Sequence, residues 1–216
     1  MLSSTVEDYL KAIHRLERDG ELVHLGRIAI ALGVTSGTVT TMMKHLGDSE
    51  LIQYLPRRGV RLTESGRLAA MKVLRRHRLS ELFLVDVLGM DMAEVHPEAE
   101  LLEHALSERL TDLIDKHLGQ PAYDPHGSPI PDANGSIRET CLKPIIEKAE
   151  GGRYHVGRLT RSDQAFIDWL AGFGIAVGSD VGLAKRDQVS GIVTLETAGG
   201  RRVQIGEAAA ATLLVE

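Results

Sequence analysis

Apolar residues recur at helical spacing through the first half of the chain. Over residues 5–19, Val6, Leu10, Ile13 and Leu16 share one face and predict a helix, with Thr5 as N-cap, Asp8 three positions on and Gly20 as its stop. Leu25, Ile28, Ala29 and Leu32 line a second helix over 22–32, stopped at Gly33. Thr35 and Ser36 offer a cap for a third, over 38–46, with Val39, Met42, Met43 and Leu46 inward. Residues 51–55 and 60–62 read as strands around a Pro56-Arg57-Arg58-Gly59 turn. Thr63 caps a long helix over about 64–88, and Pro97 after His96 opens another that runs to about 117. Residues 119–136 are rich in Pro and Gly, which marks a loop and a domain boundary. A short amphipathic piece over 137–149 is interrupted by Pro144. The period then changes. Strands are expected at 155–159, 180–186, 192–196 and 201–205, with a helix at 162–170, which together make a small β-barrel.

Composition adds limits. The 216 residues are 43% apolar and 25% charged, ordinary for a globular chain. No apolar run approaches a membrane span, and the N-terminus lacks the pattern of a secretory signal. The single cysteine, Cys141, allows no intrachain disulfide, so a cytoplasmic location is expected. Aromatics are 4%, which disfavours a base-stacking RNA surface. The net charge of −5 hides an asymmetry. Residues 1–78 carry 13 basic against 8 acidic side chains, residues 79–150 carry 5 against 15, and the remainder is balanced. A basic first third beside an acidic middle points to two kinds of partner.

The basic third has the contour of a winged helix-turn-helix. Ala29 is small where two helices approach, Gly33 suits the positive φ of the turn, and Val39 faces back from the next helix. Thr35, Ser36, Thr38, Thr40 and Thr41 then lie at the N-terminus of the recognition helix, with Arg57, Arg58 and Arg61 on the wing. These are the candidate DNA contacts. The hydroxyls suit phosphates and thymine methyls, and no Arg, Asn or Gln is placed for a bidentate base contact, so shape reading is expected to share the work.

The acidic block carries metal-ligand spacings. His77 and Glu81 are one turn apart on one helix. Glu100, Glu103 and His104 project to one side of the next, which His96 opens, and Asp8 lies on the first helix. Carboxylates this dense repel one another unless protonated or bridged by a cation. Three carboxylates and one imidazole form a hard, oxygen-rich set that suits manganese better than zinc or copper.

With these motifs in place, the chain resembles the metal-dependent repressors of the diphtheria-toxin-repressor type, and within them the manganese-transport-regulator branch. The resemblance is carried by Glu7-Asp8-Tyr9-Leu10, the helix-turn-helix over 25–46, Leu62-Thr63-Glu64-Ser65-Gly66-Arg67, and Arg76-His77-Arg78-Leu79-Ser80-Glu81. It continues through Val95-His96-Pro97-Glu98-Ala99-Glu100-Leu101-Leu102-Glu103-His104 and His126-Gly127-Ser128-Pro129-Ile130-Pro131. It implies a winged helix over 1–66, a helical metal-binding and dimerisation domain over 67–136, a linker over 137–150, and an Src-homology-3-like, FeoA-type barrel over 151–216. It also implies two metal sites per chain. Asp8, Glu100, Glu103 and His104 would form the primary site, with carboxylates at the two positions where the iron-responsive branch has Met and Cys. His77, Glu81, His126 and Asp163 would form the second, with Asp124 and His96 as further candidates. Arg161 falls where iron-type repressors have a Glu, and Lys11 where short manganese regulators have one.

The expectation is therefore a homodimeric, non-enzymatic repressor. It would bind a palindromic DNA operator when loaded with Mn2+ or Fe2+, control metal homeostasis, and have no membrane partner. Two rivals are a winged-helix regulator of a small organic ligand and a metallohydrolase. The few aromatics disfavour the first, and the lack of an H-E-x-x-H motif disfavours the second.

Overall fold

The computed structural model describes all residues except 1, 18–20, 93, 138–140 and 162–163, and only the backbone of residue 164. The chain divides into two compact units. One comprises Met1–Ser80, Glu100–Ile114 and Pro131–Ile137; the other comprises Glu81–Ala99, Asp115–Ile130 and Arg138–Glu216. Among the described residues, no helix is long and apolar enough to cross a membrane.

The first unit begins with α1 (Ser4–Leu16), α2 (Leu25–Leu32) and α3 (Ser36–Asp48). The cap of α1 is Ser3, not Thr5: its hydroxyl accepts from the Val6 N–H at 3.4 Å, and Thr5 is already helical. The predicted α1 stop at Gly20 lies outside the described residues. Helix α2 starts three residues later than expected because Val23 is held elsewhere. It exchanges both backbone hydrogen bonds with Val60, at 2.8 and 3.0 Å. Gly33 closes α2 at φ +64°, as the turn requires. Thr35 caps α3 through the Thr38 N–H at 3.2 Å.

The wing is β1 (Ile52–Leu55) against β2 (Gly59–Leu62), antiparallel, with Leu55 opposite Gly59 across the arginine turn. Val6, Leu10, Ile13, Ile28, Val39, Met43, Leu46, Ile52, Val60 and Leu62 form one core. Helix α4 (Glu64–Asp86) follows, with the Thr63 hydroxyl accepting from the Gly66 N–H at 3.1 Å.

The single helix expected from His96 to about residue 117 is in fact two: α5 (Val95–Ala105) and α6 (Glu108–His117). Ser107 makes the break, its hydroxyl accepting from the Leu110 N–H at 3.2 Å as an N-cap does. Helices α4, α5 and α6 each contribute residues to both units.

The second unit is built on a six-stranded antiparallel sheet of order β3-β8-β4-β5-β6-β7. Its elements are β3 (Lys143–Pro144), a 3-10 turn (Ile145–Glu147), β4 (Arg153–Leu159), α7 (Gln164–Ala171), β5 (Asp180–Asp187), β6 (Ile192–Thr197), β7 (Arg202–Gly206), α8 (Glu207–Ala210) and β8 (Leu213–Val215). Four strands lie where period-two alternation predicts them. Strands β3 and β8 were not expected, being too short to show a period. Val156, Leu170, Val181, Leu183, Leu195 and Leu213 fill the core between sheet and helix.

Candidate metal centre and DNA-binding surface

Helix α1 sets the first site. Its apolar stripe docks into the winged-helix core, and this buries the neighbouring positions Glu7 and Lys11, each 5% exposed. Asp8 and His104 are half-buried, and Glu103 is fully buried. Asp8, Glu103 and His104 each offer one ligand atom within 4.8 Å of the others. His104 Nε2 lies 3.0 Å from Asp8 Oδ1 and 3.5 Å from Glu103 Oε1.

The other ring nitrogen, Nδ1, is held by Glu7 Oε2 at 2.7 Å, and Arg76 grips the second oxygen of Glu7 at 2.6 Å. Glu7 therefore orients the imidazole with Nε2 aimed at the carboxylates, the usual arrangement for a metal-ligating histidine. Arg76 also donates to the Glu103 carbonyl at 2.6 Å, so one buried guanidinium braces both α1 and α5.

Glu100 joins the cluster through Lys11. The ammonium donates to Glu100 Oε2 at 2.7 Å and to Glu103 Oε1 at 2.5 Å. His77 Nδ1 lies 2.7 Å from the other Glu103 oxygen. Burial pushes the Asp8 carboxyl above its usual range, with His104 and Lys11 opposing. Burial also pushes Glu100 upward, but the Lys11 hydrogen bond and charge outweigh it and leave that carboxyl below its usual range.

This donor set fits a divalent ion: hard oxygens and one aimed imidazole nitrogen, gathered at partly to fully buried positions. Glu7 and Arg76 were missed as functional residues in the sequence. The available signal was that positions 7 and 11 flank the buried stripe at 6, 10 and 13. We expect Glu7→Gln to weaken metal binding about 10- to 100-fold while leaving the fold intact, since it loosens the ring and not the ligand set. Isothermal titration checks this, and unchanged affinity would remove Glu7 from the site.

A second cluster lies within the other unit. Glu81, Asp124 and His126 are buried and offer ligand atoms within 4.8 Å of one another. Asp124 Oδ1 accepts from the backbone N–H groups of His126 and Ser128 at 2.9 and 2.8 Å, which fixes the loop. The His126 carbonyl accepts from Leu159 N–H of β4 at 3.0 Å. Gly127, at φ +79°, is the only residue type the loop admits there, because a Cβ would overlap the Gly157 carbonyl. Glu81 Oε1 lies 3.0 Å from His96 Nδ1, and Glu81 Oε2 lies 3.9 Å from His126 Nδ1. His126 Nε2 is buried with no hydrogen-bond partner among the described residues. Asp163 lies outside the described residues. The Arg161 guanidinium rests 4.6 Å from the centre of the Phe166 ring.

The DNA-contact candidates are where the sequence places them. Thr35, Ser36, Thr38 and Thr41 are exposed at the start of α3, and Thr40 is half-buried. Thr40 and Thr41 each donate back to a carbonyl one turn earlier, those of Ser36 and Gly37. Arg57, Arg58 and Arg61 are exposed on the wing, Arg61 donating to Gln53 at 2.6 Å.

Models of known families match three consecutive stretches. Residues 1–60 match the iron dependent repressor N-terminal DNA binding domain, and residues 63–132 match the iron dependent repressor metal binding and dimerisation domain. Residues 144–216 match the FeoA domain. The diphtheria toxin repressor of Corynebacterium diphtheriae is 30% identical over an alignment spanning 100% of this chain and 98% of that protein. The chain belongs to the diphtheria toxin repressor family.

Members of this family are DNA-binding transcriptional repressors, not enzymes. The iron-dependent repressor IdeR of Mycobacterium tuberculosis is 39% identical over 130 residues, 60% of this chain and 56% of its own length. Among solved structures, a manganese-dependent transcriptional repressor in complex with manganese superposes with a TM-score of 0.89 at 35% identity, covering 98% of this chain and 99% of that one. The manganese regulator SloR superposes with a TM-score of 0.79 at 30% identity, covering 98% and 97%. The winged helix, the helical domain and the Src-homology-3-like sheet domain are those of the diphtheria toxin repressor family.

Proposed function

We propose that this chain is a manganese-gated repressor of metal-homeostasis genes, with Fe2+ as the competing activator. The carrying observation is that Asp8, on a helix of the DNA-binding region, meets Glu103 and His104 of α5. An ion held by Asp8, Glu103 and His104, with Glu100 alongside, would supply the double positive charge that ties α1 to α5. Asp8 and Glu103 provide hard oxygens, Glu7 orients His104, and Arg76 fixes the backbone of Glu103. Because α1 is packed on α2 and on the wing strand β2, its position sets that of the recognition helix α3. Metal occupancy then biases the presentation of α3 to DNA, and a few kcal/mol of bias is enough to move occupancy from mostly free to mostly bound.

Oxygen-rich ligation supports manganese over softer metals. Glu81, Asp124 and His126, with His96 beside Glu81, support a second ion, for two per chain. The buried Nε2 of His126 is the group most in need of a partner. Leu101, Leu110 and Leu113 are 70%, 45% and 54% exposed on α5 and α6, and support a homodimer that presents two wings to a palindromic operator. A cytoplasmic location follows from a DNA target.

Purified protein incubated with sheared genomic DNA tests this. It should enrich a short palindrome with Mn2+, less so with Fe2+ under anoxia, and not with chelator. Equal enrichment in chelator would remove metal as the switch.

A further inference from the structure

Lys11 is a buried cation beside the apolar stripe of Val6, Leu10 and Ile13, one turn on from Glu7 and Asp8. It is 5% exposed, and its ammonium sits on two carboxylates of the candidate primary site, Glu100 at 2.7 Å and Glu103 at 2.5 Å. Glu103 is fully buried and reaches a second nitrogen, His77 Nδ1, at 2.7 Å. An ionised carboxylate buried without a cation is strongly unfavourable, so this cluster needs positive charge whether or not a metal is bound. Lys11 supplies it from within the chain. The Glu103 oxygen it touches, Oε1, is also the one that lies 3.5 Å from His104 Nε2. A divalent ion among Asp8, Glu103 and His104 would therefore share a ligand oxygen with an ammonium group, and the two cations would repel.

The two partners differ. The Glu100 side chain is 34% exposed and that of Glu103 is fully buried, so Glu100 is the contact that can be given up to solvent at lower cost.

Resting on the reading of this cluster as a metal site, we propose that Lys11 is a tethered competitor of the metal ion for Glu100 and Glu103. It neutralises the cluster in the metal-free chain and raises the metal concentration at which the site fills. Lys11 is thereby a specificity- and threshold-setting residue. A strongly bound divalent ion displaces its charge, and a weakly bound one does not. The same contact offsets part of the buried negative charge when no metal is present, so the metal-free chain remains folded, while the tighter tie of α1 to α5 that sets α3 awaits the double charge of the ion.

The test compares the full chain with Lys11→Met and Lys11→Gln by isothermal titration with Mn2+ and by thermal melting in chelator. Both variants should bind Mn2+ about tenfold or more tightly, the scale of one charge removed from a partly buried site. Both should also melt lower in chelator, so that the rise in melting temperature on adding Mn2+ is larger than in the parent. Unchanged or weaker binding, with equal melting losses in chelator and in Mn2+, would make Lys11 a plain structural ion pair and overturn the proposal.

A readout on the unmodified chain covers the case in which neither variant folds. The Lys11 15Nζ signal should shift or broaden away as one equivalent of diamagnetic Cd2+ is added, and a signal that stays in place overturns the proposal. A parent chain that takes up no divalent ion in either experiment would overturn the metal reading itself. Metal uptake without any effect of Lys11 would overturn this inference alone.

Discussion

Replacing Glu103 with glutamine is expected to abolish metal-dependent DNA binding. The carboxylate is fully buried and lies within 2.5 Å of Lys11, 2.7 Å of His77 and 3.5 Å of His104. The amide keeps the shape and loses the charge. Two effects follow from that one loss. The donor set of Asp8, Glu100, Glu103 and His104 drops from three carboxylates to two and loses the fully buried one at its centre, which leaves too little negative charge to hold a manganese ion against water. The buried Lys11 ammonium also loses the fully buried, less solvent-screened of its two countercharges and keeps only the part-exposed Glu100, a change of up to about 3–5 kcal/mol, the scale for a buried pair broken on one side. Binding isotherms on operator DNA with Mn2+ and with chelator should therefore coincide for this variant, and its melting temperature should fall in both. Metal-dependent DNA affinity equal to that of the parent chain would falsify the assignment of the primary site.

Gly66→Ala is the second large effect, and it acts on stability. Gly66 sits in the first turn of α4, where the Leu51 carbonyl oxygen occupies the space a Cβ would take. That carbonyl cannot retreat, because it accepts the Thr63 N–H at 3.1 Å and the adjoining Glu50 carbonyl is held by Thr63 and Ser65 hydroxyls at 2.7 and 3.0 Å. The clash is with backbone on both sides, so no rotamer change relieves it. The expected cost is about 3 kcal/mol or more, at the upper end for overpacking. A loss of that size lowers the melting midpoint of a unit this small by roughly 10 °C or more, read by circular dichroism. Affinity for DNA should fall with and without metal, which separates this variant from Glu103→Gln. A midpoint within about 2 °C of the parent would show that α4 can move away from the wing.

Local rules reached much of this protein. The stripe of Val6, Leu10 and Ile13, the Gly33 turn, the Thr35 cap and the arginine turn of the wing each depend on a few adjacent residues. So do the donors of the primary site on α5, because Glu100, Glu103 and His104 share a helix face by period alone. The errors are also instructive. Position 107 reads as helix by pattern, yet Ser107 ends one helix and caps the next, a choice between two uses of one hydroxyl. Strand β8 has three residues and no period of its own, and it exists because β4 and β3 offer it edges.

The sequence by itself determined which residue types stand at helical or strand spacing, and hence the winged helix, the hard donor set and the family. Only the tertiary structure decided what becomes of the charges. It buried Glu7 and Lys11 beside an apolar stripe, set Arg76 on Glu7 and the Glu103 backbone, and gathered Glu81, Asp124 and His126 from segments far apart in the chain. The physical reason is that helix and strand formation respond to near neighbours. The free energy of a charged group depends instead on its desolvation and on the partner that meets it, and both are set by packing between distant segments.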